Sequence, residues 1–150
     1  MMIAAAPAVA GSTPALDPKR LTLIEVMGRP TVSAGPGTSG IGDILTRVLV
    51  GDPSAAGAYT IMLHVPANTQ IAAHRHKDDR VATVVSGTWN FGYGSTASDD
   101  TKALGPGSFY TEPAGVSHFA RTGAEPVVLY IHGIGPTDTH YSVPSADPRR

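Results

Sequence analysis

Two histidines one residue apart, His74 and His76, stand in the run Ile71-Ala72-Ala73-His74-Arg75-His76. On a strand, alternation sends both imidazoles to one face, which is how a single strand offers two ligands to a metal ion. The same spacing also fits two half-exposed polar side chains, so the pair alone leaves both readings open. Further along, Gly107-Ser108-Phe109-Tyr110-Thr111-Glu112-Pro113-Ala114-Gly115-Val116-Ser117-His118 runs a strand into a Pro-x-Gly turn, and a histidine opens the next strand. The sequence has 6 histidines and 0 cysteines. Thiolate metal sites, disulfide frameworks and cysteine nucleophiles are thereby excluded, and imidazole and carboxylate remain as ligands.

The elements that must position these groups read as strands. From residue 21 onward, short β-branched and aromatic runs alternate with Gly, Pro, Asn and Asp, the habit of an all-β domain. Strands are expected over 21–26, 45–50, 59–65, 71–76, 80–85, 88–93, 102–104, 108–111, 118–121, 127–132 and 139–143. Such a number belongs to a barrel or sandwich. Ser86-Gly87, between two strong β runs, is expected to be a tight hairpin, because glycine takes the positive φ such turns require. The segment 33–42, with its Gly-Pro-Gly, is expected to be a loop over one mouth of the domain.

At 150 residues the chain has the size of one domain. Residues 21–143 are expected to form it, between an N-terminal tail over 1–20 and a C-terminal tail over 144–150. Ala8-Val9-Ala10-Gly11 is similar to a signal-peptidase site, although no Lys or Arg precedes it, so a remnant export signal and a simple arm are both open readings. Charged residues make up 15% and the formal net charge is -1, which argues against a nucleic-acid surface. No stretch is long and apolar enough to span a bilayer as a helix. A small molecule is the expected partner, and the compartment is undetermined.

Taken together, the two histidine motifs resemble those of the cupin superfamily. The first cupin motif is matched by His74, His76 and the closing Gly87, the second by the Pro113-x-Gly115 turn and His118, and the resemblance covers about 42–133. It implies an all-β cupin double-stranded β-helix, a jelly-roll barrel of one domain, in which the second motif's turn aims His118 across the barrel at the His-x-His pair. His74, His76 and His118 would then hold one divalent transition metal, Fe, Zn, Mn, Ni or Cu, among which sequence does not choose. The resemblance also implies a homodimer.

The chain departs from the cupin pattern at three positions. Asn68 stands where the opening glycine falls, which suits a left-handed turn residue. Thr122 replaces the usual closing Asn. Arg80 stands seven residues before Gly87, where most metal cupins carry a glutamate ligand. Three readings of Arg80 are open. It turns outward to pair with Asp78 or Asp79, leaving a three-histidine site with open positions. It points inward to anchor a carboxylate or enolate. Or the site is metal-free, with Arg80 and the histidines binding an anion. Asp79 is a further candidate ligand.

Other candidates are His64, as a general base if the Thr60-Met62-His64 face of its strand lines the cavity, and Glu112, as a proton shuttle if it faces inward rather than lying at the rim. His132 and His140 are expected at the surface. Trp89, Phe91 and Tyr93 alternate as an aromatic face, either sheet-on-sheet core or a wall for substrate. The functional expectation is a metal-dependent small-molecule enzyme acting on an anionic or enolisable substrate. With iron it would be a dioxygenase, similar to three-histidine cupins acting on β-diketones; with Zn, Mn or Ni, a Lewis-acid lyase or isomerase. The alternative is a non-catalytic barrel that binds a small anion or metal as sensor or carrier.

Overall fold

The computed structural model describes residues 16–32 and 34–150. The Ala8-Val9-Ala10 segment lies outside them. Ten strands form two five-stranded sheets that close face to face as a jelly-roll barrel. One sheet runs in the order β1 (Leu45–Val50), β2 (Gly57–Val65), β9 (Val127–Gly135), β4 (Arg80–Ser86), β7 (Phe109–Glu112). The other runs β10 (His140–Tyr141), β3 (Gln70–Arg75), β8 (His118–Arg121), β5 (Trp89–Tyr93), β6 (Lys102–Leu104). The strand pairs within both sheets are antiparallel. The all-β expectation and most of the strand positions therefore agree with the structure.

The inner faces supply the core. Ile61, Leu63 and Val65 of β2, Ala82 and Val84 of β4, and Leu129 and Ile131 of β9 meet Ile71, Trp89, Phe91 and Ala120 of the opposite sheet. Each fully buried aliphatic side chain contributes about 1.5–3 kcal/mol, so the barrel's stability rests on these layers more than on its polar interior.

Two local expectations fail. Residues 23–27 form a helix, α1 (Leu23–Met27), instead of a strand over 21–26. The Thr22 side chain caps the Glu25 N–H while the Glu25 carboxylate accepts from Thr22 N at 2.7 Å, a complete capping box. The apolar residues there serve one helical face: Val26 covers Met62 and Val128 on the outer side of the first sheet. Nor is Ser86-Gly87 a hairpin, because β4 and β5 belong to different sheets. It is the corner where the chain crosses between them. Gly87 has φ of 78°, and a Cβ there would lie 2.2 Å from the Pro126 carbonyl oxygen.

Asn68 does take the left-handed conformation, with φ of 53°. Thr122 accepts from Thr69 N at 2.8 Å and donates to Pro66 O at 2.7 Å, closing the same turn from β8. The 144–150 segment, expected as a tail, folds back so that the Arg149 guanidinium lies 5.5 Å from the Tyr141 ring centre and donates to Thr139 O at 2.9 Å.

Gly87→Ala should lose at least ~2 kcal/mol in urea denaturation, from backbone strain and the carbonyl clash together. Asn68→Gly, at a position already left-handed, should change stability by less than ~1 kcal/mol. Equal effects would show that the sheet-to-sheet corner imposes no special demand.

Candidate functional site

The strand pairing brings the histidines together. His74 on β3 lies directly opposite His118 on β8, and His76 follows β3 by one residue on the same face. The Pro113–Val116 turn, closed by Val116 N–H to Pro113 O at 3.0 Å, is tied to the first motif by Gly115 N–H donating to His76 O at 2.8 Å. All three histidines are buried, and their ligand atoms lie within 4.8 Å of one another.

Each imidazole has its Nδ1 committed to a backbone carbonyl: His74 to Ala72 O at 2.7 Å, His76 to Asp138 O at 2.5 Å, His118 to Val116 O at 3.1 Å. A carbonyl only accepts, so Nδ1 carries the proton in all three rings and Nε2 keeps its lone pair. The Nε2 atoms of His76 and His118 are buried without a hydrogen-bond partner. Converging, unprotonated and unpartnered lone pairs are the donor set a divalent transition metal requires, so the residues present fit such an ion.

The opposite sheet contributes a charge pair. Arg80, first residue of β4, lies directly across from Glu112, last residue of β7, and both are buried, at 5% and 4% exposure. Arg80 Nε donates to Glu112 Oε2 at 2.6 Å. The carboxylate also reaches the histidines, with Oε2 3.5 Å from His76 Nε2 and Oε1 3.6 Å from His118 Nε2. The pairing of Arg80 with Asp78 or Asp79 is not found. Asp78 is buried and accepts from Tyr59 Oη at 2.7 Å and Thr137 Oγ1 at 2.5 Å, whereas exposed Asp79 accepts from Ala114 N at 2.8 Å and braces the Pro-x-Gly turn. The carboxylate beside the histidines thus comes from β7 rather than from the first motif.

Other candidates separate cleanly. Glu112 faces inward, not to the rim. His64 is on the face of β2 opposite the cavity, because Leu63 is the residue that lines it and Met62 packs outward under α1; the general-base reading of His64 is corrected accordingly. His132 and His140 are exposed. Trp89 and Phe91 are core residues that also line the cavity, while Tyr93 is exposed. Sequence reading assigned no role to Asp138, which holds His76 through its carbonyl and Lys77 N through its side chain at 2.8 Å. Nothing in residue spacing marks a carbonyl contact across 62 positions.

The site lines a cavity of about 30 Å³, room for roughly two water-sized groups. Gly37, Thr38 and Ser39 of the expected covering loop form part of its wall. Tyr141 Oη holds Ser39 O at 2.5 Å and Thr139 Oγ1 holds Thr38 O at 3.1 Å.

Burial sets the protonation states. It lowers His74 to about 3, with neighbouring His118 adding to the effect; it lowers His76 well below the usual imidazole range together with Arg80; and it lowers His118. For Glu112 burial opposes ionisation, but Arg80, His118 and His76 outweigh it and hold the carboxyl well below its ordinary range.

A family model described as the ChrR cupin-like domain matches residues 38–138. No curated protein matches the chain. Among solved structures, the polyketide cyclase RemF from Streptomyces resistomycificus is 19% identical with a TM-score of 0.67, over 89% of this chain and 91% of that one. An RmlC-like cupin from Shewanella frigidimarina NCIMB 400 is 16% identical with a TM-score of 0.55, over 72% and 85%. The DMSP lyase DddQ from Ruegeria pomeroyi DSS-3 is 20% identical with a TM-score of 0.55, over 77% and 55%. This chain spans about half the length of the DMSP lyases it matches, 49% in one case and 55% in the other. At these identities the likeness establishes the fold.

Two outcomes are expected of the metal-free protein. Imidazoles depressed below 6.5 when folded take up protons more readily when unfolded, so stability is full above that value and declines as pH falls from 6.5 toward 3. Glu112, also depressed, acts in the same direction at lower pH. Calorimetry with chelator present should give a lower Tm at pH 5 than at pH 7; an unchanged Tm would mean solvated imidazoles. Glu112→Gln, which leaves a buried guanidinium without its counter-charge, should cost about 3 kcal/mol or more in urea denaturation, whereas Arg80→Met combined with Glu112→Leu should cost much less. Equal losses would show that the pair does not balance itself.

Proposed function

The chain belongs to the ChrR cupin-like family, and from that premise we propose that it holds one divalent transition metal through His74, His76 and His118 and acts with it on a small anionic or enolisable molecule. The observation that carries this reading is the uniform tautomer: three Nδ1–H groups donate to carbonyls, so three Nε2 lone pairs are left to one buried point. Bound there, iron would supply dioxygenase chemistry, and Zn, Mn or Ni would supply Lewis-acid chemistry of the lyase or isomerase kind. The names of two proteins of similar fold, a polyketide cyclase and a DMSP lyase, are those of enzymes acting on small molecules. A homodimer, implied by the cupin resemblance, is part of the same proposal.

The chain's own residues divide the work by charge. Glu112 offers a carboxylate to the histidine cluster, either as a further ligand or as the countercharge beside the cation. With one oxygen held by Arg80 and the other turned toward His118, it serves in this reading to balance the charge of the cation. Arg80 fixes that carboxylate through Nε and keeps Nη1 unpartnered, for an anion in the cavity. The apolar walls and the 37–39 loop exclude bulk water, which strengthens each of these interactions.

A second reading, a non-catalytic barrel serving as sensor or carrier of a metal or small anion, draws support from the small size of the cavity, about 30 Å³, and its buried lining. Elemental analysis of untagged protein, beside a His74→Ala, His118→Ala double variant, tests the metal. About one equivalent of a transition metal is expected in the parent protein and essentially none in the variant, whose far-UV spectrum stays that of a β protein. Equal metal content in the two, or no uptake after adding Fe(II), Zn, Mn and Ni, would overturn the assignment. Metal held tightly with no turnover of any chelating anion would select the carrier.

A further inference from the structure

Eight buried side-chain atoms among the described residues lack a hydrogen-bond partner, and five belong to residues lining the one metal-site cavity. They are of two kinds. His76 Nε2 and His118 Nε2 are acceptors, accounted for by a metal. Arg80 Nη1, Trp89 Nε1 and Tyr110 Oη can each donate; the Trp89 N–H lies near the Tyr110 oxygen without closing a hydrogen bond to it, and a cation accounts for none of the three. A buried donor left unmade costs about 1–3 kcal/mol. Three lining one small cavity call for an acceptor that the protein does not itself supply.

We propose that Arg80 Nη1, Trp89 Nε1 and Tyr110 Oη form an oxyanion subsite that takes a carboxylate or enolate oxygen of a small ligand, whose other oxygen faces the three histidines. The proposal rests on the metal reading above for the second oxygen only; the donors themselves belong to the protein. Trp89 opens β5 and Tyr110 lies two residues before Glu112 on β7, so the donor set is assembled from both sheets. The Phe91 ring spaces the two ends of the site, with its centre 4.3 Å from that of Tyr110 and 5.5 Å from that of His118. Burial raises Tyr110 well above the ordinary phenol value, Glu112 adds to this, and Arg80 and the Trp89 N–H only partly offset it. The hydroxyl is therefore neutral and able to donate.

Charge agrees with this assignment. Arg80 and Glu112 cancel, and the histidines are neutral, so a divalent ion would leave the cavity with two uncompensated positive charges. An anion held between metal and donors reduces that excess. The ligand is also short: a cavity of about 30 Å³ admits roughly two water-sized groups before the 37–39 loop must move. Leu63, Ala120 and Leu129 on the apolar wall take a carbon stub, not a second charge.

Trp89 is the protein's only tryptophan, so its fluorescence reports this subsite directly, with or without metal. Titrating acetate into Zn-loaded protein should change Trp89 emission saturably, and the uncharged isostere acetamide should need at least ~10-fold higher concentration. Tyr110→Phe should raise the acetate dissociation constant by ~10-fold while leaving zinc content unchanged, which also controls for folding. Unresponsive emission in the parent protein, or equal acetate affinity in parent and Tyr110→Phe, would overturn the subsite. If the parent takes up no zinc yet its emission still responds to acetate and loses that response in Tyr110→Phe, the subsite stands and the metal reading falls. If zinc binds and the emission is silent, the reverse holds.

Discussion

The site depends on one constraint: a buried imidazole can present Nε2 as a ligand only when Nδ1–H has its own acceptor. Two of the three acceptors are local, Ala72 O for His74 and Val116 O for His118, each two residues back along the chain. The third comes from the segment between β9 and β10, where Asp138 O accepts the hydrogen bond from His76 Nδ1–H. That carbonyl is held in place by neighbours that touch no ligand. Thr137 bonds Asp78, Asp78 bonds Tyr59, and Gly133 lacks a Cβ that would otherwise lie 2.4 Å from the Tyr59 hydroxyl. A polar network of this kind earns its place only if every member is satisfied, and each of these three side chains is.

Arg80 and Glu112 follow from the same economy of charge. In the first cupin motif the Arg80 position usually carries a glutamate. Here Arg80 stands at that position, and the carboxylate beside the histidines is Glu112, directly across from it on the adjoining strand. Burying either group alone is prohibitive, whereas burying both in contact is tolerable. Relative to a glutamate alone, the exchange adds one positive charge beside the metal position, and that changes what the cavity attracts. A barrel whose lone carboxylate offsets a bound cation is closer to neutral, and this one is biased toward anions.

Much of the fold was legible because alternation and turn residues are local. Strands 45–50, 102–104 and 118–121 coincide in sequence and structure, and the left-handed Asn68 was anticipated from its place in the motif. What escaped reading depends on pairing between distant segments. Helix α1 was obscured by a run of apolar residues that looked like a strand, although Thr22 and Glu25 carried its capping signal. Alternation on β2 was read correctly, but both of its faces carry buried residues, Ile61, Leu63 and Val65 toward the core and Met62 under α1, so the side of His64 that meets the cavity was not decidable from parity alone. The direction of Arg80 required knowing that residue 112 lies opposite it, 32 positions later. The histidines were legible through the resemblance of their two motifs to those of cupins, which implies the convergence that the β3–β8 pairing shows.

Closure of the cavity connects stability to function. The loop wall at 37–39 is held by Thr139 and Tyr141, and Tyr141 in turn lies under Arg149, whose stem packs where a Gly40 Cβ would sit. Those attachments are two hydrogen bonds and one cation–π contact, each worth about 1 kcal/mol or a little less in such a setting. The layers beneath are aliphatic and far costlier to disturb. Opening therefore falls to the loop rather than to the barrel, and the histidines can keep their carbonyl partners while a ligand enters, because Ala72, Val116 and Asp138 all lie outside the segment that has to yield.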